Sequence, residues 1–94
     1  MVMTEHYRIK VYVAGMSATA RRTLRNLERL QSDLPAGVEM DVDVVDVLEH
    51  PEVAEHERVL ATPMVVKESP EPVRRVIGDL SKRENAITGL DLAI

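Results

Sequence analysis

The sequence predicts an α/β domain built on a βαβ unit, followed by a half whose local signals disagree. Three observations carry this. A β-rich run, Ile9 to Ala14, is followed by leucines at helical spacing and then by a valine-rich run, Val38 to Val47. The 94 residues amount to one domain, 1–94, with an ordinary globular balance of 45% apolar and 30% charged residues. Beyond Pro72, helix and strand patterns overlap in the same residues, although a uniquely specified fold needs them to agree.

Ile9 to Ala14 alternates around Lys10 and Tyr12 and reads as a buried strand. Gly15 ends it, and Ser17 is a good helix N-cap. Ala20, Leu24, Leu27, Leu30 and Leu34 follow at steps of three and four, which predicts an amphipathic helix from Ala18 to Asp33. Pro35 and Gly37 stop it. Val38 to Val47 is a second strand, acidic on one face. A crossover of this length makes the two strands parallel. Pro51 suits the first turn of a helix through Glu52 to Val59, and a strand reading of those residues stays open. Pro63 precedes the short β-like run Met64-Val65-Val66. Pro70 and Pro72 stiffen a turn around Glu71.

In the tail, Val73, Val76, Ile77 and Leu80 are spaced i, i+3, i+4, i+7, the stripe of a helix. Ser81-Lys82-Arg83-Glu84 reads as a capping box that starts a helix at Ser81. Gly89 lies inside that helix and costs it about 1 kcal/mol. Leu90, Leu92 and Ile94 alternate as a strand does.

Composition excludes several functions. Zero cysteines remove disulfides, thiol catalysis and thiolate metal sites. A net charge of −4 argues against a dedicated nucleic-acid binder, because phosphate neutralisation needs a concentrated basic face. Tyr7 and Tyr12 are the only aromatics, too few for a base-stacking platform. No apolar run approaches the roughly 20 residues of a membrane span. Met1 to Arg8 lacks the apolar core of a signal peptide, so a cytoplasmic location is expected.

The candidate sites are few. Thr62-Pro63 before a short strand matches where thioredoxin-like folds place a proline beside a redox pair. The matching residues, Gly15-Met16-Ser17-Ala18, hold no thiol. His50 and His56 are about 600° apart around a helix and form no ligand pair, so no metal is expected. Asp41, Asp43 and Asp46 read as a solvated strand face that discourages edge pairing. Arg21, Arg25 and Arg29 form a ridge with Arg22 beside it; it reads first as the wet face of the helix and second as a surface for an acidic partner. Arg74, Arg75, Lys82 and Arg83 make a second basic cluster. No catalytic residues and no cofactor site stand out.

Five stretches together resemble one family. They are Tyr12-Val13-Ala14-Gly15, Val45-Asp46-Val47-Leu48 with Pro51, Leu60-Ala61-Thr62-Pro63, the run Pro72-Val73-Arg74-Arg75-Val76-Ile77-Gly78-Asp79-Leu80-Ser81, and Gly89-Leu90-Asp91-Leu92. The chain resembles the KaiB circadian clock proteins from about Tyr7 to Leu92. The resemblance implies a non-enzymatic regulator that binds the ring of a KaiC-like ATPase. A KaiA-like or SasA-like protein is a further implied partner. It also implies two folds: a stored homotetramer or dimer of order βαββααβ, and a thioredoxin-like monomer of order βαβαββα that binds the partner. Residues 1–48 stay unchanged and residues 49–94 are rebuilt.

On that basis the helical stripe belongs to the stored fold and the Ser81–Glu84 box to the switched fold. Gly89 and Asp91 resemble the pair that tunes the balance. Pro63, Pro70 and Pro72 lie in the rebuilt half, where slow X-Pro isomerisation could set the pace. Arg22, Arg25, Lys67, Arg74 and Arg75 are the expected partner contacts. Mass action at crystallisation concentrations favours the stored oligomer, which is therefore the expected form. Three departures from the cyanobacterial pattern weigh against KaiA binding: the end at Ile94, Met64 after Thr62-Pro63, and the turn Lys67 to Pro72. An adaptor for a different, stress-related partner on the same scaffold is the alternative.

Overall fold

A computed structural model describes residues 5–94; the start of the Met1–Arg8 leader reading lies outside them. The described residues form β1 (Glu5–Val13), α1 (Ala18–Ser32), β2 (Val38–Asp46), α2 (Pro51–His56), β3 (Met64–Ser69), β4 (Arg74–Ile77) and α3 (Arg83–Leu90). The four strands make one sheet in the order β2-β1-β3-β4. β1 and β2 run parallel along their whole length, as the βαβ reading requires. β3 is antiparallel to β1 and to β4, with a register shift between Arg8 and Ile9.

The first half forms where the sequence places it. The Ser17 hydroxyl accepts the amide of Ala20, which satisfies one of the orphan donors that open α1. Ala20, Leu27 and Leu30 are buried on the face toward the sheet. Burying each leucine stabilises the fold by up to about 1.5–3 kcal/mol. Tyr7, Ile9, Val11 and Val13 of β1 meet them from below. α3 and Leu92 complete this cluster on the same face of the sheet. The opposite face is smaller: Tyr12, Met64 and Val66 are covered by Val53 of α2 and by Val45, Val47 and Val59. No helix among the described residues is long and apolar enough to cross a membrane.

The second half departs from the expected stored order. The element order is βαβαββα, the thioredoxin-like one that the resemblance implied for the partner-binding form. The Val73–Leu80 stripe is not a helix. Arg74–Ile77 is a strand whose Val76 pairs with Val65, which points Val76 inward and leaves Val73 and Ile77 exposed. Gly78 (φ +117°) and Leu80 (φ +63°) adopt left-handed backbone that a helix cannot contain. Leu80 is buried in spite of a cost of roughly 1–2 kcal/mol for that conformation. Residues 52–59 are helical only as far as His56, and no strand forms there. Leu90 and Leu92 belong to no strand: Leu90 closes α3, and both are buried against the sheet.

Candidate functional site

Four of the residues singled out in the sequence, Arg22, Ser81, Lys67 and Asp91, fall into two clusters that tie the second half to the first. At one end of α1, the Arg22 guanidinium lies 3.3 Å from the Asp79 carboxylate. One turn along, the Asn26 side-chain amide donates to the Asp79 carbonyl at 2.8 Å. The Ser81 backbone amide donates to the Asp79 carboxylate at 3.0 Å, closing an Asx-turn. Hydrogen bonds from Ser81, then from Arg22, hold the Asp79 carboxyl below the ordinary aspartate range.

This arrangement overturns the capping-box reading. Ser81 is spent in the turn before the helix, and the N-cap of α3 is Lys82, with no side-chain cap bond. Glu84 lies in the first turn, where its charge suits the helix dipole without capping it. The signal that could have revealed the turn is Asp79-Leu80-Ser81, an Asx-turn pattern.

The second cluster lies under the sheet. Lys67 was expected to meet a partner, but only 1% of its surface is accessible. Its ammonium lies 5.9 Å from the centre of the Tyr7 ring. It donates to the Asp91 carbonyl at 3.5 Å and lies 3.8 Å from the Asp91 carboxylate. In this fold Lys67 is an internal cation that holds the end of α3, and it does not face a partner. A cation over an aromatic face with a carboxylate beside it is the usual way to keep such a charge inside. Asp91 itself is the C-cap of α3 in the left-handed conformation. One residue beyond Leu92, the Ala93 amide donates to the Tyr7 hydroxyl at 2.9 Å.

Gly89 sits where α3 comes closest to β4. A Cβ built at Gly89 would lie 2.7 Å from Val76 Cγ2, too close for two carbon atoms. Removing the helix-breaking glycine therefore meets a steric cost that the sequence did not disclose. Thr62-Pro63, Ser69-Pro70 and Glu71-Pro72 are all cis.

Of the remaining arginines, Arg25 and Arg74 are exposed. Arg75 donates to the Glu57 carbonyl at 2.8 Å. Arg22 and Arg25 share the wet face of α1, whereas Arg74 and Arg75 are on the edge strand β4. The two basic groups therefore do not form one patch through shared elements. Where a thioredoxin-like fold would place its redox pair, a cleft of about 160 Å³ is lined by Val13, Ala14, Ser17, Thr19, Ala20, Thr62 and Pro63. With no cysteine in the chain it can carry no thiol–disulfide exchange.

Comparison with known proteins decides the family. The model of the KaiB domain matches residues 10–92. The chain belongs to the KaiB family. The Circadian clock oscillator protein KaiB of Prochlorococcus marinus subsp. pastoris is 45% identical over 92 residues, covering 98% of this chain and 85% of that one. That of Microcystis aeruginosa is 43% identical over 91 residues, covering 97% and 86%. Among solved structures, the N-terminal domain of Synechococcus elongatus SasA superposes with a TM-score of 0.77 at 17% identity, covering 94% of this chain and 83% of the domain. Mitochondrial thioredoxin 3 of Saccharomyces cerevisiae gives 0.66 at 19% identity, covering 96% and 81%. These two likenesses concern the fold alone. Within this KaiB-family chain, the non-glycine residues with left-handed backbone, Arg58, Leu80 and Asp91, all come after Leu48 among the described residues.

Proposed function

We propose that the chain is a non-enzymatic regulator in a circadian or clock-like timing system, acting by docking on the ring of a KaiC-type ATPase as a thioredoxin-like monomer. Membership of the KaiB family together with a fold like that of the SasA N-terminal domain is the observation that carries this reading. Storage as a homo-oligomer of the other order, βαββααβ, completes it. Residues 49–94 are then the part that refolds and residues 1–48 the part that does not. Arg22, Arg25, Arg74 and Arg75 are the proposed contacts, with Lys67 reserved for holding Asp91. The strained and weakly capped second half supports refolding, because an element held by tertiary contacts exchanges more readily than one fixed by its own sequence.

The test is to mix the protein with its KaiC-type ATPase and ATP and to follow size exclusion over hours. A ring complex that forms slowly is expected. No complex at any time would overturn the reading and favour an adaptor with a different partner.

A further inference from the structure

The sheet ends in two edges of opposite charge. β2, on one edge, exposes Glu39, Asp41 and Asp43. β4, on the other, exposes Arg74 and Arg75. Like charges along an edge discourage that edge from pairing with its own copy. Thus β2 repels β2 and β4 repels β4, while β2 and β4 attract.

Direction and face agree as well. β2 is parallel to β1, β3 is antiparallel to β1, and β4 is antiparallel to β3. β4 and β2 therefore point the same way, and copies related by translation or a small rotation bring them together as a parallel pair. Asp43 pairs with Lys10 and Val45 with Tyr12, while Arg75 pairs with Val66 and Ile77 with Met64. All of these lie on the face that carries Tyr12, Met64 and Val66. One register sets Arg75 opposite Asp43 and Ile77 opposite Val45, with Arg74 opposite Val42 and Val76 opposite Val44. A shift of two residues in one direction keeps a charge match, Arg75 against Asp41, but sets Ile77 against Asp43 and loses its apolar contact with Val45. A shift in the other sets Arg75 against Val45. The matched register also covers the exposed Ile77, Val42 and Val44, which are 62%, 37% and 38% accessible.

We propose that this thioredoxin-like fold associates with a second copy of itself head to tail, β4 of one copy pairing in parallel with β2 of the next, Arg75 against Asp43. A heterologous contact of this kind leaves a free edge at each end and adds further copies. With only the four residues of β4 to pair, each contact is weak, and it operates where copies are already concentrated. The inference does not rest on the ring reading.

The chain has no cysteine, so two single-cysteine variants report the contact directly. Val42→Cys and Arg74→Cys face each other in the matched register, at the roughly 4.8 Å strand spacing that a disulfide spans. The two variants are purified as monomer, mixed at low salt and oxidised mildly. The mixed disulfide should exceed each homodisulfide about tenfold, twofold from random pairing and about fivefold from one matched charge pair. The excess should fall to the random twofold when Asp43→Lys is added to the Val42→Cys chain, or at about 1 M salt, where charges are screened. A mixed disulfide no more than twofold above each homodisulfide, no disulfide, or a larger excess that Asp43→Lys leaves intact would each overturn the proposal. A second measurement guards against cysteine artefacts. Amide spectra of the unmodified monomer should shift with concentration at 42–45 and 74–77 together, and shifts at one edge alone would count against pairing between the two.

Discussion

Helices α1 and α3 pack on the same face of the sheet, yet they are held in different ways. α1 has fifteen residues, a bonded serine cap and a leucine face that its own sequence announces. α3 has eight residues, no side-chain cap, a glycine in its last turn and a left-handed aspartate at its end. Alone in water a helix of that length is marginal. Its position depends on what it touches: Arg83 on Asp33 at 2.8 Å, Asp91 on Lys67, and Leu90 in the core. The contrast teaches that one domain can combine a locally determined half with a half that is determined by contact. On the proposed function, only the second would be exchanged for another arrangement.

The largest expected effect that sharpens this contrast is Leu90→Ala. Leu90 is fully buried, so the change should cost about 2–5 kcal/mol. Hydrogen exchange should show 83–90 losing protection while α1 and β1 keep theirs. An equal loss in both helices would mean that the two are one cooperative unit and would break the comparison.

Next is Gly89→Ala. Helix propensity favours alanine by about 1 kcal/mol, but the new methyl meets Val76. Alone the change should be close to neutral or destabilising for this fold. In a Val76→Ala background it should be favourable by about 0.5–1 kcal/mol relative to that background, a coupling that a double-mutant cycle in urea measures. If the two changes simply add, the close approach is not what opposes alanine.

Asp91→Asn keeps a residue that tolerates the left-handed cap and removes only the charge beside Lys67. With the carboxylate largely exposed, a loss of about 0.5–1 kcal/mol in unfolding free energy is expected. A loss as large as that from Leu90→Ala would make the ion pair, and not the core, the main anchor of α3.

The smallest effect is with pH at Asp79. Its folded-state pKa is depressed, so its contribution is present above the ordinary value of 3.8 and fades as pH falls through the folded value. The stability difference between the protein and Asp79→Asn should therefore shrink in acid. A difference that stays constant to the foot of the acid transition would rule out the Arg22–Asp79–Ser81 cluster as its source.

The parts legible in the sequence are those whose periods agree at every level. Ile9–Ala14, the leucine helix and Val38–Val47 fall within a few residues of β1, α1 and β2. β4 was illegible because four residues, two of them arginine, form a strand only by pairing with β3. The spacing of Val73, Val76, Ile77 and Leu80 fits a helix equally well until Gly78 and Leu80 take left-handed backbone. Ser81 was read as the helix N-cap, but its amide donates to Asp79 in the turn before α3 and Lys82 takes the cap position. Lys67 misled for a different reason. A lysine is expected at the surface, and only the Tyr7 ring and the end of α3 give it a place inside.

Tyr7 has a practical consequence. The chain has no tryptophan, so its near-ultraviolet emission comes from Tyr7 and Tyr12 alone, and these lie on opposite faces of the sheet. Tyr7 is bonded to Ala93 and sits beneath the Lys67 ammonium, whereas Tyr12 faces α2 and the valines around it. A Tyr12→Leu protein therefore carries a single native chromophore placed at the seam between the two halves. Its emission is expected to change as the Ala93 bond and the Lys67 ammonium leave the ring, which makes it a label-free reporter of the seating of the C-terminal segment.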